Sequence, residues 1–179
     1  MRTLCALVAG FGMAAAGRGT TLEQLSLNDL IVKSTTIVHA KVTGSYGAFR
    51  GVDVYTFYKL QVSETLKPAA GQAPMQLEVA VPGGVAQKVR QSVPGAPTLT
   101  IGGDYVLFLW TGPNTLAQIL GLSQGLFRMT QDAAGNAIIT RPATTEVMLN
   151  KAGVPVSDQL TNLPWADVRA QIRKTLGGN

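Results

Sequence analysis

Hydrophobic and polar residues alternate with a period of two along most of the chain, a pattern typical of β-strands that bury one face. A helical spacing comes first, because Ser26 and Asp29 form a capping box that predicts a short helix from Leu27 to Lys33. After this helix the period changes to two. Seven stretches then predict strands: Thr36 to Thr43, Val52 to Glu64, Met75 to Val81, Asp104 to Trp110, Thr115 to Leu120, Leu126 to Thr130 and Ala137 to Thr140. The glycine-rich segment from Gly44 to Gly51 is predicted to connect the first two strands.

The order of these elements predicts a mainly β fold. The run from Tyr105 to Trp110 is apolar on both faces, so we expect it to be the central strand. No helical pattern separates the seven stretches, which favours antiparallel pairing. A second helix is predicted to begin at Pro164, and its apolar face consists of Trp165, Val168, Ile172 and Leu176. We expect an antiparallel, partly closed OB-like barrel of six or seven strands, with a short N-terminal helix and an amphipathic C-terminal helix. A β-sandwich is the alternative.

The start of the chain has the pattern of a secretory signal peptide. Arg2 is followed by an uncharged run from Leu4 to Ala16 that ends in three alanines. This run is shorter than the roughly 20 apolar residues that a spanning helix needs. We expect cleavage after Ala16, so that residues 1–16 are the signal peptide and residues 17–179 form one domain in the periplasm or outside the cell, without a transmembrane segment. A buried N-terminal helix is the alternative interpretation.

The amino-acid composition limits which kinds of functional site the chain can form. The chain has 179 residues, of which 46% are hydrophobic and 14% are charged, so it is long and apolar enough for one domain with its own core. Its single cysteine, Cys5, would leave with the signal peptide, and His39 is its only histidine. A zinc site of the usual nitrogen and sulfur type is therefore excluded, and we expect no metal and no cofactor.

Charge also argues against nucleic acid as a partner. Loss of Arg2 would lower the formal net charge from +5 to +4, a modest value for a domain of this length. The remaining basic residues are spread along the chain and form no concentrated basic footprint.

One motif suggests hydrolysis. Gly121 to Gly125 matches the G-x-S-x-G pattern of a nucleophile elbow centred on Ser123. That elbow needs a helix after the serine and a histidine later in the chain. Here a strand is predicted to follow, and His39 lies far upstream. A hydrolase acting through Ser123, or through two carboxylates that meet in space, therefore stays an alternative function.

A candidate interaction loop lies between the third and fourth predicted strands. Pro82 to Pro97 spans 16 residues without a clear period, beyond the length at which structureless loops become uncommon. Lys88 and Arg90 lie two residues apart, so an extended backbone would direct both side chains to one side, and Gln87 and Gln91 flank them. Such a cluster suits an acidic or carbohydrate partner. The alternative is a solvated crossover that only joins two strands.

Several segments, taken in order, resemble a family of exported bacterial proteins of unknown function. They are Ile37 to Val42, Tyr55 to Phe57, Val62 to Lys67, Val81 to Gly84, Gly102 to Leu109 and Gly121 to Phe127. The resemblance covers most of the mature chain and implies no activity. The strand order is also distantly similar to the OB-like barrels of netrin-type and metalloproteinase-inhibitor domains. Those domains depend on disulfides and an N-terminal cysteine, which the mature chain would lack, so their inhibition mechanism is not implied.

Taken together, these patterns predict an exported, non-catalytic binding or interaction module. Its expected partner is a protein, a carbohydrate or an acidic component of the cell envelope. A purely structural envelope protein is a further alternative that the sequence does not separate from a binding module.

Overall fold

A computed structural model describes residues 21–69, 73–143 and 146–177. The predicted signal peptide lies outside these residues. Two helices are present, α1 (Leu27–Lys33) and α2 (Trp165–Gly177). The strands are β1 (Thr21–Glu23), β2 (Thr36–Arg50), β3 (Asp53–Lys67), β4 (Gln76–Pro82), β5 (Gly84–Ala86), β6 (Val89–Gln91), β7 (Asp104–Thr111), β8 (Ala117–Ile119), β9 (Leu126–Gln131), β10 (Ala137–Thr140), β11 (Val147–Leu149), β12 (Pro155–Val156) and β13 (Leu163–Pro164).

The two helices agree with the sequence pattern. Helix α1 has the predicted bounds, and its capping box is formed: the Ser26 hydroxyl accepts a hydrogen bond from the backbone of Asp29, whose carboxylate accepts one from the backbone of Ser26. Helix α2 begins one residue later than predicted and buries Trp165, Val168 and Ile172. Within the described ranges, no helix is both long and apolar enough to cross a membrane.

Most strands belong to one antiparallel sheet. Its order is β13-β10-β9-β7-β2-β3-β4, and β8 also pairs with β7. The predicted central strand, β7, does lie in the middle of this sheet. The two outermost strands, β13 and β4, do not pair with each other among the described residues, so the sheet is open and not a closed barrel. Because β4 nevertheless approaches β8, the sheet curls over one of its faces.

Two apolar clusters stabilise the curled sheet, one on each face. Strand β7 supplies both: Leu107 and Leu109 belong to the cluster inside the curl, whereas Val106 and Phe108 belong to the cluster beneath the helices. All four side chains are fully buried. This confirms the prediction that the central strand is buried on both faces.

The hairpin of β2 and β3 is longer than predicted. Gly44 to Gly51 was expected to be a connection, yet β2 continues to Arg50, so this expectation is wrong. Tyr46 stacks on Phe57 of β3 with ring centroids 5.2 Å apart, and such aromatic pairs stabilise neighbouring strands. A register shift between Val42 and Gly44 lets the strand pass the glycine, which leaves only a short turn after Arg50.

Smaller strands were not predicted. Strands β5 and β6 form an antiparallel hairpin in a segment expected to be irregular, and β11 pairs with both β12 and β1. The β1–β11 pair is parallel, so the antiparallel expectation holds for the main sheet but not for every pair.

Candidate functional site

The candidate interaction loop is a β-hairpin whose polar residues have different roles. Gln87 and Lys88 form its turn with positive φ angles of 48° and 70°. Lys88 is therefore not in an extended backbone, so the extended geometry that would direct its side chain to the same side as that of Arg90 is not formed. Gln87, Lys88 and Arg90 are exposed. Gln91 instead holds the hairpin in place, because its Oε1 accepts a 2.6 Å hydrogen bond from the backbone N–H of Val54 on β3.

The G-x-S-x-G segment is a tight turn between β8 and β9. Gly121 and Leu122 both have positive φ angles, 65° and 63°. The backbone N–H groups of Ser123 and Gln124 both donate to the carbonyl of Gly121, at 2.8 and 3.1 Å. Strand β9 follows the serine, as expected, so the geometry of a nucleophile elbow is not formed.

His39 takes no part in this turn. Its Nε2 lies 2.9 Å from Oδ1 of Asp104, and its ring packs edge-on against Trp165 at 6.1 Å. The chain's only histidine is thus engaged between β7 and α2. Ser123 has a different partner.

That partner is Glu146, which the sequence analysis did not select as a site residue. The Ser123 hydroxyl donates to Oε2 of Glu146 at 2.5 Å, and both side chains are buried. The second carboxylate oxygen, Oε1, is also buried and has no hydrogen-bond partner in the part of the chain that the structure describes. It lies against Gly95, where an added Cβ would be only 2.2 Å from Oε1. Because Gly95 has no side chain, the Glu146 carboxylate can occupy the space next to it.

Arg141 is the second charged group of the site, and 2% of its surface is exposed. Its Nε donates to the carbonyl of Gln124 at 3.0 Å, and its Nη1 donates to Oδ1 of Asp158 at 2.7 Å. The guanidinium lies 5.1 Å from the ring centroid of Phe127. The remaining nitrogen, Nη2, is buried, and none of the described residues forms a hydrogen bond with it. Two of the three guanidinium nitrogens of Arg141, Nε and Nη1, are therefore hydrogen-bonded, and Nη2 has no partner among the described residues.

Burial and the neighbouring carboxylates shift the pKa of Arg141 in opposite directions. Desolvation lowers the pKa of the guanidinium, while the carboxylates of Asp158 and Glu146 oppose that change. Arginine has so high a pKa that it stays protonated in proteins. The site consequently holds a permanent buried cation.

Gln124 connects this site to the N-terminal strand. Its Oε1 accepts from the backbone N–H of Leu25 at 2.7 Å, and its Nε2 donates to the carbonyl of Glu23 at 2.9 Å. Glu23 belongs to β1, which pairs with β11 directly after Glu146. Hydrogen bonds of Gln124 thus connect the turn to β1, and strand pairing connects β1 to β11. Together these contacts place Glu146 beside Ser123.

Three adjoining cavities share Pro142 as a wall, and we call them together the Pro142 cleft. Their volumes are about 280, 400 and 620 Å³. Ser123 and the segment 95–98 line the smallest cavity, so one end of the candidate loop does reach the cleft. Polar side chains predominate around the largest cavity: Thr140, Arg141, Glu146, Ser157, Asp158, Thr161 and Asn162.

Two carboxylates do reach one cavity, as the alternative hypothesis required. Glu146 and Asp158 both line the largest cavity, but Asp158 is paired with Arg141. Across the described parts of the chain, no group of three or more metal-ligating side chains is present.

Sequence reasoning missed Arg141, Glu146 and Asp158, although one signal was present. Arg141 continues the period-two alternation from the buried Ile139, so it occupies a position where the pattern expects a buried residue. A charged residue at such a position needs a partner. Nothing in the sequence identifies Glu146 or Asp158 as neighbours of this arginine.

Comparison with protein-family models and with curated proteins gave no match. Function is therefore argued from the geometry of the site.

Proposed function

We propose that the protein is an exported, non-catalytic binding module and that its ligand occupies the Pro142 cleft. One observation carries this proposal: Arg141 Nη2 and Glu146 Oε1 are both buried without a hydrogen-bond partner among the described residues, and both residues line the same cavity. Buried polar atoms are nearly always hydrogen-bonded in native proteins. An unpaired donor and an unpaired acceptor at one cavity are what a polar ligand would satisfy.

The shape and lining of the cleft support a small polar ligand. Its largest cavity, about 620 Å³, falls within the range of roughly 300–1,000 Å³ that small-molecule sites occupy. Hydroxyl and amide groups of Thr140, Ser157, Thr161 and Asn162 line the same cavity as the charged side chains. Such groups orient a ligand through hydrogen bonds and need no reaction to do so.

A thermal-shift screen tests this proposal. The panel contains amino acids, amino-acid amides, neutral sugars and amino sugars. Three proteins are compared: the wild type, Glu146→Gln, and Glu78→Gln as a control that changes an exposed carboxylate on β4. A ligand present at 100 times its Kd stabilises the folded protein by about 2.7 kcal/mol. We expect at least one compound to raise the Tm of the wild type and of Glu78→Gln, and to raise that of Glu146→Gln less. Absence of any shift, or equal shifts in all three proteins, would contradict the proposal.

A hydrolase is the second candidate, and the Ser123–Glu146 hydrogen bond favours it because a carboxylate can act as the base for a serine nucleophile. The turn argues against it, since the N–H groups of Ser123 and Gln124 already donate to Gly121 and are not free to bind an oxyanion. A fluorophosphonate probe separates the two functions. Labelling that is lost in Ser123→Ala would establish the hydrolase and overturn the non-catalytic proposal.

Export and the OB-like layout also belong to the proposal. The basic start and the alanine-rich end of the apolar run support a signal peptide, and the curling of β4 towards β8 is compatible with a partly closed, OB-like barrel. We expect the exported protein to begin at Gly17. Intact mass spectrometry of protein from the native envelope or medium measures this, and an exported chain that retains Met1 would contradict cleavage.

A further inference from the structure

The charges that line the largest cavity of the Pro142 cleft do not balance. Arg141 supplies one positive charge, whereas Asp158 and Glu146 supply two negative charges. Ser123 contributes only a neutral hydrogen bond to Glu146. Arg128 lines a second cavity of the cleft but not the largest one, and among the described residues it forms no ion pair with Glu146. Because an uncompensated charge is costly in a buried site, the cluster is short of one cation next to Glu146.

The unpaired atoms specify what that cation should look like. Oε1 of Glu146 accepts hydrogen bonds, so a primary ammonium group both satisfies it and supplies the missing charge. Nη2 of Arg141 donates, so the same ligand should carry an oxygen acceptor. Both atoms belong to residues at least nine-tenths buried, whose other polar atoms are already fixed by Ser123, Gln124 and Asp158.

We infer that the Pro142 cleft binds a small ligand with a primary ammonium group next to an oxygen acceptor. The inference rests on the proposed function and deepens it by naming the ligand class. Amino-acid amides, which have the chemistry of a peptide N-terminus, and amino sugars share this arrangement. A free amino acid should bind more weakly, because its carboxylate adds a negative charge and leaves the cluster unbalanced.

Isothermal titration calorimetry on the folded chain tests the inference with defined probes. The probes are L-alaninamide and D-glucosamine, each compared with its N-acetylated form, which lacks the ammonium charge, and L-alanine. We expect at least one ammonium probe to bind at least tenfold more tightly than its N-acetylated form, and L-alaninamide to bind more tightly than L-alanine. The tighter of the two ammonium probes identifies whether the source is peptide-like or sugar-like.

A matched pair of variants localises the effect. Glu146→Gln keeps an oxygen that can accept from Ser123 but removes the charge, so the affinity for the ammonium probe should fall at least tenfold. Glu78→Gln removes an exposed charge on β4, where the carboxylate accepts from the hydroxyl of Tyr46, and it should leave affinity unchanged. The wild-type comparison of each probe with its N-acetylated form needs no variant, so it decides the matter even if Glu146→Gln does not fold.

The outcomes separate the inference from the proposed function. If N-acetylated probes bind the wild type as tightly as the ammonium forms, the ligand class is wrong while the binding function stands. If Glu146→Gln and Glu78→Gln weaken binding equally, the ammonium does not meet Glu146 and the inference is overturned. If neither these probes nor any compound of the thermal-shift panel binds, the proposed function itself is overturned.

Discussion

Arg141 shows how one residue determines the character of the site. Its guanidinium holds Asp158, the turn carbonyl of Gln124 and the face of Phe127 at once. Such an arrangement contributes little net stability relative to apolar residues, but loss of one charged partner leaves the other without its counter-charge in or beside the core. The arginine is therefore both a structural requirement of the loop after β10 and a candidate ligand contact.

The stability of the protein should depend strongly on this residue. Arg141→Leu removes the charged partner of Asp158, whose carboxylate keeps only the backbone N–H of Leu160, and the side-chain donor of the Gln124 carbonyl. We expect it to lower the free energy of unfolding by about 3–5 kcal/mol. Arg169→Leu is the control, because its ion pair with Glu64 is about one-third exposed at both side chains and such surface pairs contribute about 0–1 kcal/mol. Urea denaturation measures both variants, and similar losses would contradict the role assigned to Arg141.

The capping box of α1 predicts a pH dependence. Hydrogen bonds from the hydroxyl and the backbone N–H of Ser26 lower the pKa of Asp29 below its usual 3.8. A carboxyl with a lowered folded-state pKa stabilises the protein above its unfolded-state pKa, and this contribution is lost as the pH falls through the folded-state value.

We therefore expect Asp29→Asn to be less stable than the wild type by about 0.5–1 kcal/mol near neutral pH, where a carboxylate also favours a helix N-terminus. The difference should vanish in acid, below both pKa values. Chemical denaturation at several pH values measures it, and a difference that stays constant into acid would show that the Asp29 charge is not involved.

At the scale of elements, the sequence predicted what depends on local pattern. The capping box correctly predicted α1, and the run that is apolar on both faces correctly predicted the central strand β7. The hairpin of β5 and β6 was missed because its turn residues, Gln87 and Lys88, are not the glycine or asparagine that usually adopt positive φ angles. The extension of β2 was missed because a strand interior with several glycines has the composition of a loop, and only its packing reveals it.

That packing gives a prediction for the hairpin. A Cβ at Gly47 would lie 1.8 Å from the carbonyl oxygen of Val85 on β5, whereas a Cβ at Gly44 on the same strand would meet nothing within 4 Å. We expect Gly47→Ala to displace the hairpin and to destabilise the protein by about 1–3 kcal/mol, as overpacking does. Gly44→Ala should have little effect. Tryptic cleavage after Lys88 and Arg90 should accelerate only in Gly47→Ala, and equal cleavage of both variants would contradict the docking of the hairpin.

The exposed charges of the hairpin stay a separate prediction from the sequence. If Lys88 and Arg90 bind an acidic partner, Lys88→Glu combined with Arg90→Glu should abolish capture of that partner from envelope extract. The Tm should move little, because surface substitutions usually change stability by about 0.5 kcal/mol or less. Capture that is unchanged in the double variant would mean that the hairpin only joins β4 to the loop before β7.

The site is formed by residues that only the folded molecule brings together, and local sequence patterns therefore did not predict it. Gly95, Ser123, Arg141, Glu146 and Asp158 come from separate segments, and each looks unremarkable in its own stretch of sequence. They meet because the sheet curls and because β1 returns to pair with β11 beside the turn at Ser123. Only the tertiary fold shows that three charged side chains share one cavity.

One measurement tests the binding of a polar ligand in this cleft most directly. It is a titration of the isotope-labelled protein with L-alaninamide, followed by the chemical shifts of the backbone amides. Binding in the cleft predicts saturable changes at residues that line it, namely Thr98, Ser123, Ala143 and Asn162, and none at Lys88 and Arg90 on the hairpin. Changes confined to the hairpin, or no saturable change at the cleft, would contradict it.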